Sequence, residues 1–396
     1  RLEVPARFDD IDIVHVLTET LQIAGNPGGH DQTSGQLVAR SGARLTVDPG
    51  MIVKLEGSRI EVQIGAQMIA EGAEGSEIIF TALKDDTFGA GGTSDTSNDG
   101  TNTSPEPGQW GGIYFGHASS GSLDRILLQY GGGETAIEGD FDKFNPVEIF
   151  QADVRIANSE FRDNASGRSR TDRNGRGRND DAVIFVRGAQ PIIVNNRIYD
   201  NVDSKAITIN VSALEEPILV DSGRQTGFSE AFTEFNQNHG PLIRLNRLQN
   251  NDLDGMEVRG GVLKTEGVWD DVDITHVVRD EIKVPNFHSL GGLRLQSDTS
   301  GSLVIKLEGA DAGFTATGDP VDISDRIGGS LYVLGVPSRP VVFTSIDDDT
   351  VAAGFDLSGD LIFDVNNDGS TTGQAGDWRS VRLDRFSNDR NLSLIH

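Results

Sequence analysis

The sequence predicts an all-β solenoid: short strands wound about one axis, with long Gly-, Asp- and Asn-rich loops inserted between them. Three observations predict it. Aliphatic runs of three to five residues alternate with Asn/Gly turns, and no stretch of any length carries an apolar period of 3.6. A fine repeat recurs at residues 156–164 (IANSEFRDN), 193–201 (IVNNRIYDN) and 243–251 (IRLNRLQNN). A coarse repeat then restarts the whole pattern near residue 263.

Each fine unit holds two apolar anchors and an Asn three residues beyond the second: Ile156, Phe161 and Asn164; Ile193, Ile198 and Asn201; Ile243, Leu248 and Asn251. The anchors read as strand residues facing a core. The asparagines stand in register, which predicts a side-chain ladder along the axis, and Asn tolerates the left-handed bend of a tight corner. Taken singly, each also reads as an ordinary turn former. Gly111, Gly112 and Gly131 to Gly133 suit such corners and lack the strand-to-helix context of a phosphate loop. Only residues 214–219 and 226–234 suit a helical turn or two.

The coarse repeat has four ordered blocks. Residues 8–16 (FDDIDIVHV) return as 269–277 (WDDVDITHV), and 52–57 (IVKLEG) as 304–309 (VIKLEG). Residues 79–86 (IFTALKDD) return as 342–349 (VFTSIDDD), and 108–113 (GQWGGI) as 376–381 (GDWRSV). The offsets are 261, 252, 263 and 268, so the expected division is a first module over 1–262 and the start of a second over 263–396. Both ends fall inside repeats, and Arg1 follows neither an initiator Met nor a leader. The expectation is therefore a piece of a longer array.

Composition narrows the function classes. With 34 basic and 61 acidic side chains the formal charge is −27. That disfavours nucleic-acid binding and docking on anionic membranes, and favours divalent cations. Cysteine is absent, which excludes disulfides, thiolate zinc sites and thiol nucleophiles. No apolar run reaches the length of a membrane-spanning helix. No nucleophile elbow, zincin helix or P-loop is present.

The ordered pattern VRGG, WDD-x-DI-x-HV, KLEG, FTS-x-x-DD and G-D-W resembles large bacterial extracellular repeat proteins of planctomycete type. Modules of that family are similar to right-handed parallel β-helices of the pectin-lyase-like class. The resemblance spans nearly the whole chain and implies a secreted or cell-surface location. It is far less informative about activity, because that fold hosts lyases, hydrolases, adhesins and spacers alike.

The sharpest chemical motif is an acidic loop that occurs twice. Asp95, Ser97, Asp99 and Gly100 follow the D-x-[DNS]-x-D-G form, with Glu106 at position 12. Asp364, Asn366, Asp368 and Gly369 repeat it, but position 12 is Ala375, leaving Asp377 as the substitute. Alternate residues of a tight loop offer oxygens to Ca²⁺, and Gly at the sixth position permits the bend. Asp85, Asp86 and Asp347 to Asp349 lie just upstream and are placed to close the same sites. The alternative is a polar insertion loop without metal.

Other candidates are weaker. Arg162, Arg168, Arg170, Arg173, Arg176 and Arg178 reverse the local charge. They read either as a patch for an acidic polysaccharide or neighbouring module, or as a solvated loop paired with nearby carboxylates. His15 and His276 are equivalent and read as structural. Trp110 and Trp378 read as caps beside the acidic loops, with sugar stacking as the alternative.

Two functions follow. The first is a non-catalytic, calcium-binding structural or adhesive module, partnered by neighbouring modules of its own chain and by a polysaccharide or cell-surface ligand. The second is a polysaccharide lyase or glycoside hydrolase, for which Asp153, Glu160 and Asp200 are available but not singled out by spacing. Tandem duplication favours the first, since copying a stack makes length.

Overall fold

The computed structural model describes every residue except 27, 32, 40, 101, 170–177, 202, 228, 288–291, 321–325 and 390–396. The chain is all-β with long parallel sheets. It divides into two compact units, residues 1–204 with 222–231, and residues 205–221 with 232–396.

In the first unit the chain visits three parallel sheets in rotation. One sheet takes Ala6–Phe8, Arg44–Val47, Gln67–Glu71, Ser120–Asp124, Asp153–Ala157 and Ile192–Val194. The next takes His15–Leu17, Ile52–Leu55, Ile78–Ala82, Ile126–Gln129, Glu160–Arg162 and Arg197–Tyr199. The last takes Leu21–Ile23, Ile60–Val62, Ile113–Phe115, Val147–Phe150 and Ile184–Arg187. Each turn of chain thus gives one short strand to each sheet, an arrangement compatible with a solenoid.

Alternation of side chains explains why such short strands suffice. Ile60, Ile113, Val147 and Ile184 are aligned partners, as are Val62, Phe115, Ile149 and Val186, and all eight are fully buried. Each buried aliphatic side chain contributes about 1.5–3 kcal/mol, so the stack is held by continuous apolar columns rather than by strand length. Gly121 stands between Met68 and Val154 in the first sheet. A Cβ there would lie 2.1 Å from the Phe115 ring, so the glycine makes room for that ring in the core.

The asparagine ladder forms within the first unit. Asn164 and Asn201 are fully buried, and Asn164 Nδ2 donates to Asn201 Oδ1 at 3.0 Å. Asn164 Oδ1 accepts the Gly131 N–H at 2.8 Å, and Asn201 Oδ1 accepts the Asn164 N–H at 3.0 Å. The left-handed bend sits one residue earlier than expected, on Asp163 and Asp200, with φ of 55° and 54°. The bend and the ladder are separate jobs: the residue at the corner points outward and only the next one points in. In the second unit Asn251 donates to Asp254 Oδ1 at 2.6 Å.

Residues 222–231 are held against the first sheet by polar contacts. The Glu71 carboxylate, almost wholly buried, accepts the Gln225 and Thr226 N–H groups at 2.8 Å each and the hydroxyls of Ser122 and Thr226. Burial pushes the Glu71 carboxyl up, but those bonds outweigh it and hold the group below the usual range.

The second unit repeats the rotation. One sheet takes Lys205–Asn210, Leu253–Arg259, His276–Val278, Val304–Leu307 and Val342–Ser345. The second takes Gly261–Val262, Glu281–Val284, Gly309–Ala316 and Trp378–Leu383, and the third Gly267–Trp269, Leu293–Gln296 and Leu331–Leu334. Helix is confined, among the described residues, to 3₁₀ turns at Val211–Ala213 and Thr233–Phe235. The first lies just before the expected stretch 214–219, where Glu215 and Ile218 make antiparallel bridges instead. The second overlaps the end of 226–234, whose first residue, Thr226, bonds Glu71.

Candidate metal centres

Each acidic loop links strands of two different sheets: Ile78–Ala82 to Ile113–Phe115 in the first copy, and Val342–Ser345 to Trp378–Leu383 in the second. After Ile78–Ala82 the chain turns at Asp85, which is buried and accepts the Thr81 hydroxyl, the Thr87 N–H and the Gln129 amide. Asp348 does the same after Val342–Ser345, accepting from the Thr344 hydroxyl and from the N–H and hydroxyl of Thr350. Pinning this first aspartate presents the second, Asp86 or Asp349, to the loop that follows. The loops close on themselves: Gly100 N–H donates to Asp95 Oδ2 at 2.8 Å, and Gly369 N–H to Asp364 Oδ2 at 3.0 Å. Asn98 and Asn367 take the left-handed bend, with φ of 60° and 54°.

The result is two matching groups of carboxylates. Asp86, Asp95 and Asp99 each offer an oxygen, all within 4.8 Å of one another, and so do Asp349, Asp364 and Asp368. Several carboxylate oxygens of these residues are buried with no hydrogen-bond partner: Oδ1 of Asp86 and Asp99 in one group, and Oδ1 of Asp349 and Asp364 in the other; the Oδ1 of the loop residue Asn366 is likewise unpartnered. Buried polar atoms are ordinarily satisfied by protein, water or a bound ion.

A lysine from the KLEG block lies beneath each group. Lys54 and Lys306 are fully buried; Lys54 Nζ donates to Ser94 O and Lys306 Nζ to Phe363 O, each at 2.6 Å. These carbonyls belong to the residues just before Asp95 and Asp364. Lys306 Nζ also stands 3.8 Å from Asp349 Oδ1. Burial pulls both ammonium groups below the usual lysine range, against the opposing pull of the aspartates around them. The Gly100 N–H holds the Asp95 carboxyl below its ordinary range. In each group the carboxylates outnumber the single ammonium beside them, so the cluster is left net negative. The donors are all oxygens, which suits a hard cation and no thiophilic metal.

Of the eight predicted ligands, Asp95, Asp99, Asp364 and Asp368 come together. Ser97 donates to Asp95 Oδ1 at 3.3 Å, and Asn366 keeps a free buried Oδ1. Glu106 is exposed and outside the first carboxylate group. Asp377 is outside the second; it accepts the Gln374 N–H at 2.5 Å and bonds Ser345, which holds its carboxyl below the usual range. The ring is closed by Asp86 and Asp349 instead. The lysines were missed, although a Lys between a β-branched residue and Leu in a strand (Val53 and Leu55, then Ile305 and Leu307) was the available signal.

The other candidates resolve differently. Arg168 lies 3.2 Å from Asp181, Arg162 pairs with Asp163 at 2.8 Å, and the Arg178 carbonyl accepts from Arg187. Arg170, Arg173 and Arg176 lie outside the described residues. Trp110 is wholly buried and donates to the Gln129 carbonyl at 2.9 Å, so its ring faces no solvent; Trp378 is half-buried. His15 stacks on Phe8 at 4.4 Å and His276 on Trp269 at 5.2 Å. Glu160 is taken up by Arg197 at 3.1 Å, Arg162 at 3.4 Å and the Tyr199 hydroxyl. No helix among the described residues is long and apolar enough to cross a membrane.

Comparison with protein-family models, with curated proteins and with solved structures gave no match to this chain.

Proposed function

We propose that this chain is a non-catalytic structural module that binds one Ca²⁺ in each of its two acidic loops. The reading extends to its surroundings: a right-handed parallel β-helix, copied along a large extracellular protein of the planctomycete repeat type, serving as spacer or adhesive stalk. One observation carries it. The same oxygen-only cluster, with orphaned buried oxygens and a buried lysine beneath, recurs at equivalent points of both copies. A chance acidic loop has no reason to reproduce its counter-charge along with its carboxylates. Asp86, Asp95 and Asp99 would hold one ion, and Asp349, Asp364 and Asp368 the other, tying each long loop to the strand turn before it. Stiffening a loop-rich stack is the chemistry the ion supplies.

Calorimetric titration of the full chain with calcium chloride tests this. Two sites are expected, with dissociation constants of about 10⁻⁴ to 10⁻³ M as for other modules outside the cell. Asp99→Ala and Asp368→Ala should each remove one site and leave the other. No binding heat, with a melting temperature indifferent to calcium, would sink the proposal. Depolymerisation of a uronate polymer by the chain would overturn its non-catalytic part.

A further inference from the structure

The repeated DDxD block has two fates in this chain. In the second copy it is buried: Val272 is 5% exposed and Ile274 2%. In the first copy the equivalent Ile11 is 64% exposed and Ile13 57%. The local geometry is the same in both, since Phe8 stacks on His15 as Trp269 stacks on His276. The first-copy surface is therefore preformed rather than unfolded, and what differs is its cover.

The second copy shows what that cover is. Asp270 Oδ2 accepts the His239 N–H at 3.0 Å, Asp271 Oδ1 the Ile243 N–H at 3.2 Å, and Asp273 Oδ2 the Leu245 N–H at 2.7 Å. Arg244, almost wholly buried, reaches Asp271 at 3.3 Å and Asp273 at 3.6 Å. Beside this ladder, Leu253–Arg259 lies parallel to His276–Val278, with Met256 opposite His276 and Glu257 opposite Val277. The last turn of the first copy thus closes on the second through three aspartates, one arginine and one added strand.

Among the described residues, no such partner lies against the first copy. Asp9, Asp10 and Asp12 are exposed, and among those residues His15–Leu17 pairs with Ile52–Leu55 alone, which leaves its other edge open. An open parallel edge flanked by exposed isoleucines is a site for strand addition.

We propose that residues 8–17 form a docking face for the closing turn of a preceding copy of the module in the same polypeptide. The occupant has the chemistry of residues 238–258. Its Arg244 would sit between Asp10 and Asp12, and its Met256 strand would pair with His15 and Val16. This rests on the reading of the chain as a module copied end to end, and names the residues of the joint.

The test uses the absence of cysteine. A chain with residues 1–262 placed ahead of the full sequence carries Ile11→Cys in the added joint only, and maleimide labelling is compared with the same substitution in the chain as it stands. Labelling at least about tenfold slower in the longer chain is expected, because the thiol then reacts only through local opening. Equal rates overturn the joint. Should the longer chain fold poorly, a synthetic peptide of residues 237–259 added to the Ile11→Cys chain gives the same readout: slowed labelling supports the joint, and unchanged labelling at saturating peptide overturns it. Calcium titration of the same samples separates the two proposals. Binding without protection sinks the joint alone; protection without binding sinks the metal reading and leaves the joint standing.

Discussion

Lys306→Met offers the most direct probe of the counter-charge. The substitution keeps the length and apolar stem of the side chain and deletes its ammonium. At 3.8 Å from Asp349 Oδ1, that ammonium is worth about 4 kcal/mol of attraction at an effective dielectric constant of about 20. Its bond to the Phe363 carbonyl is charge-assisted, worth about 1.5–3 kcal/mol. Against these stands the cost of burying the ammonium, which disappears with it. Breaking a buried pair from one side usually costs about 3–5 kcal/mol, because the partner charge stays behind. Asp349 keeps 10% exposure and the Thr371 donors, which soften the loss, so a value near the lower end, about 3 kcal/mol, is expected in the metal-free chain. Calcium should return much of it: a ligand at about 100 times its dissociation constant contributes about 2.7 kcal/mol. Urea unfolding of wild type and variant, each with and without calcium, measures both quantities. The variant should gain more from calcium than the wild type does. A variant as stable as wild type without metal, or one gaining no more from calcium, would refute the view that lysine and cation share one negative site.

Three further outcomes follow from the fold. Asn164→Ala should cost about 3 kcal/mol by urea unfolding, since it orphans the Gly131 N–H and strips the ladder bond to Asn201; a loss below about 1 kcal/mol would show the ladder to be ornamental. His276 is fully buried, and burial pulls its pKa down to about 3 from an ordinary 6.5. The unfolded chain therefore binds the extra proton between those values, so this histidine makes stability fall as pH drops through the window, by up to about 1.4 kcal/mol per unit. His276→Phe should flatten that slope, and an unchanged slope would assign it to other groups. Glu71→Gln sets an amide against the Gln225 and Thr226 N–H donors, so amide exchange at residues 224–227 should quicken about tenfold while the apolar columns stay protected. Uniform quickening would deny that Glu71 acts as a local latch.

How much of this was legible depended on how far apart the partners lie. Anchors such as Ile156 and Ile193 are side-by-side strand residues of successive turns, so their spacing carried the stack directly. Asp95 and Asp99 were legible because a loop that bonds its own first carboxylate must be tight. Asp86 was visible only as a neighbour, since its place in the ring depends on Thr81 and Thr87 fixing Asp85. Glu106 was drawn in by a spacing that assumes a helix after the loop, and no helix follows. Nothing in the sequence joins Glu71 to Thr226, because that contact spans more than 150 positions and involves backbone donors any residue carries. Lys54 could have been found: a cation at an inward strand position must meet an anion, and its block is repeated.

The two acidic loops differ in reach. Eight residues separate Asp86 from Asp95 and fourteen separate Asp349 from Asp364, yet both bring three carboxylates to one point. Six additional residues were absorbed in a loop whose positions 358–361 are exposed. Such a stretch is a natural graft point. A foreign epitope or affinity tag spliced there would be displayed on a scaffold that has already accommodated a change of length at that place.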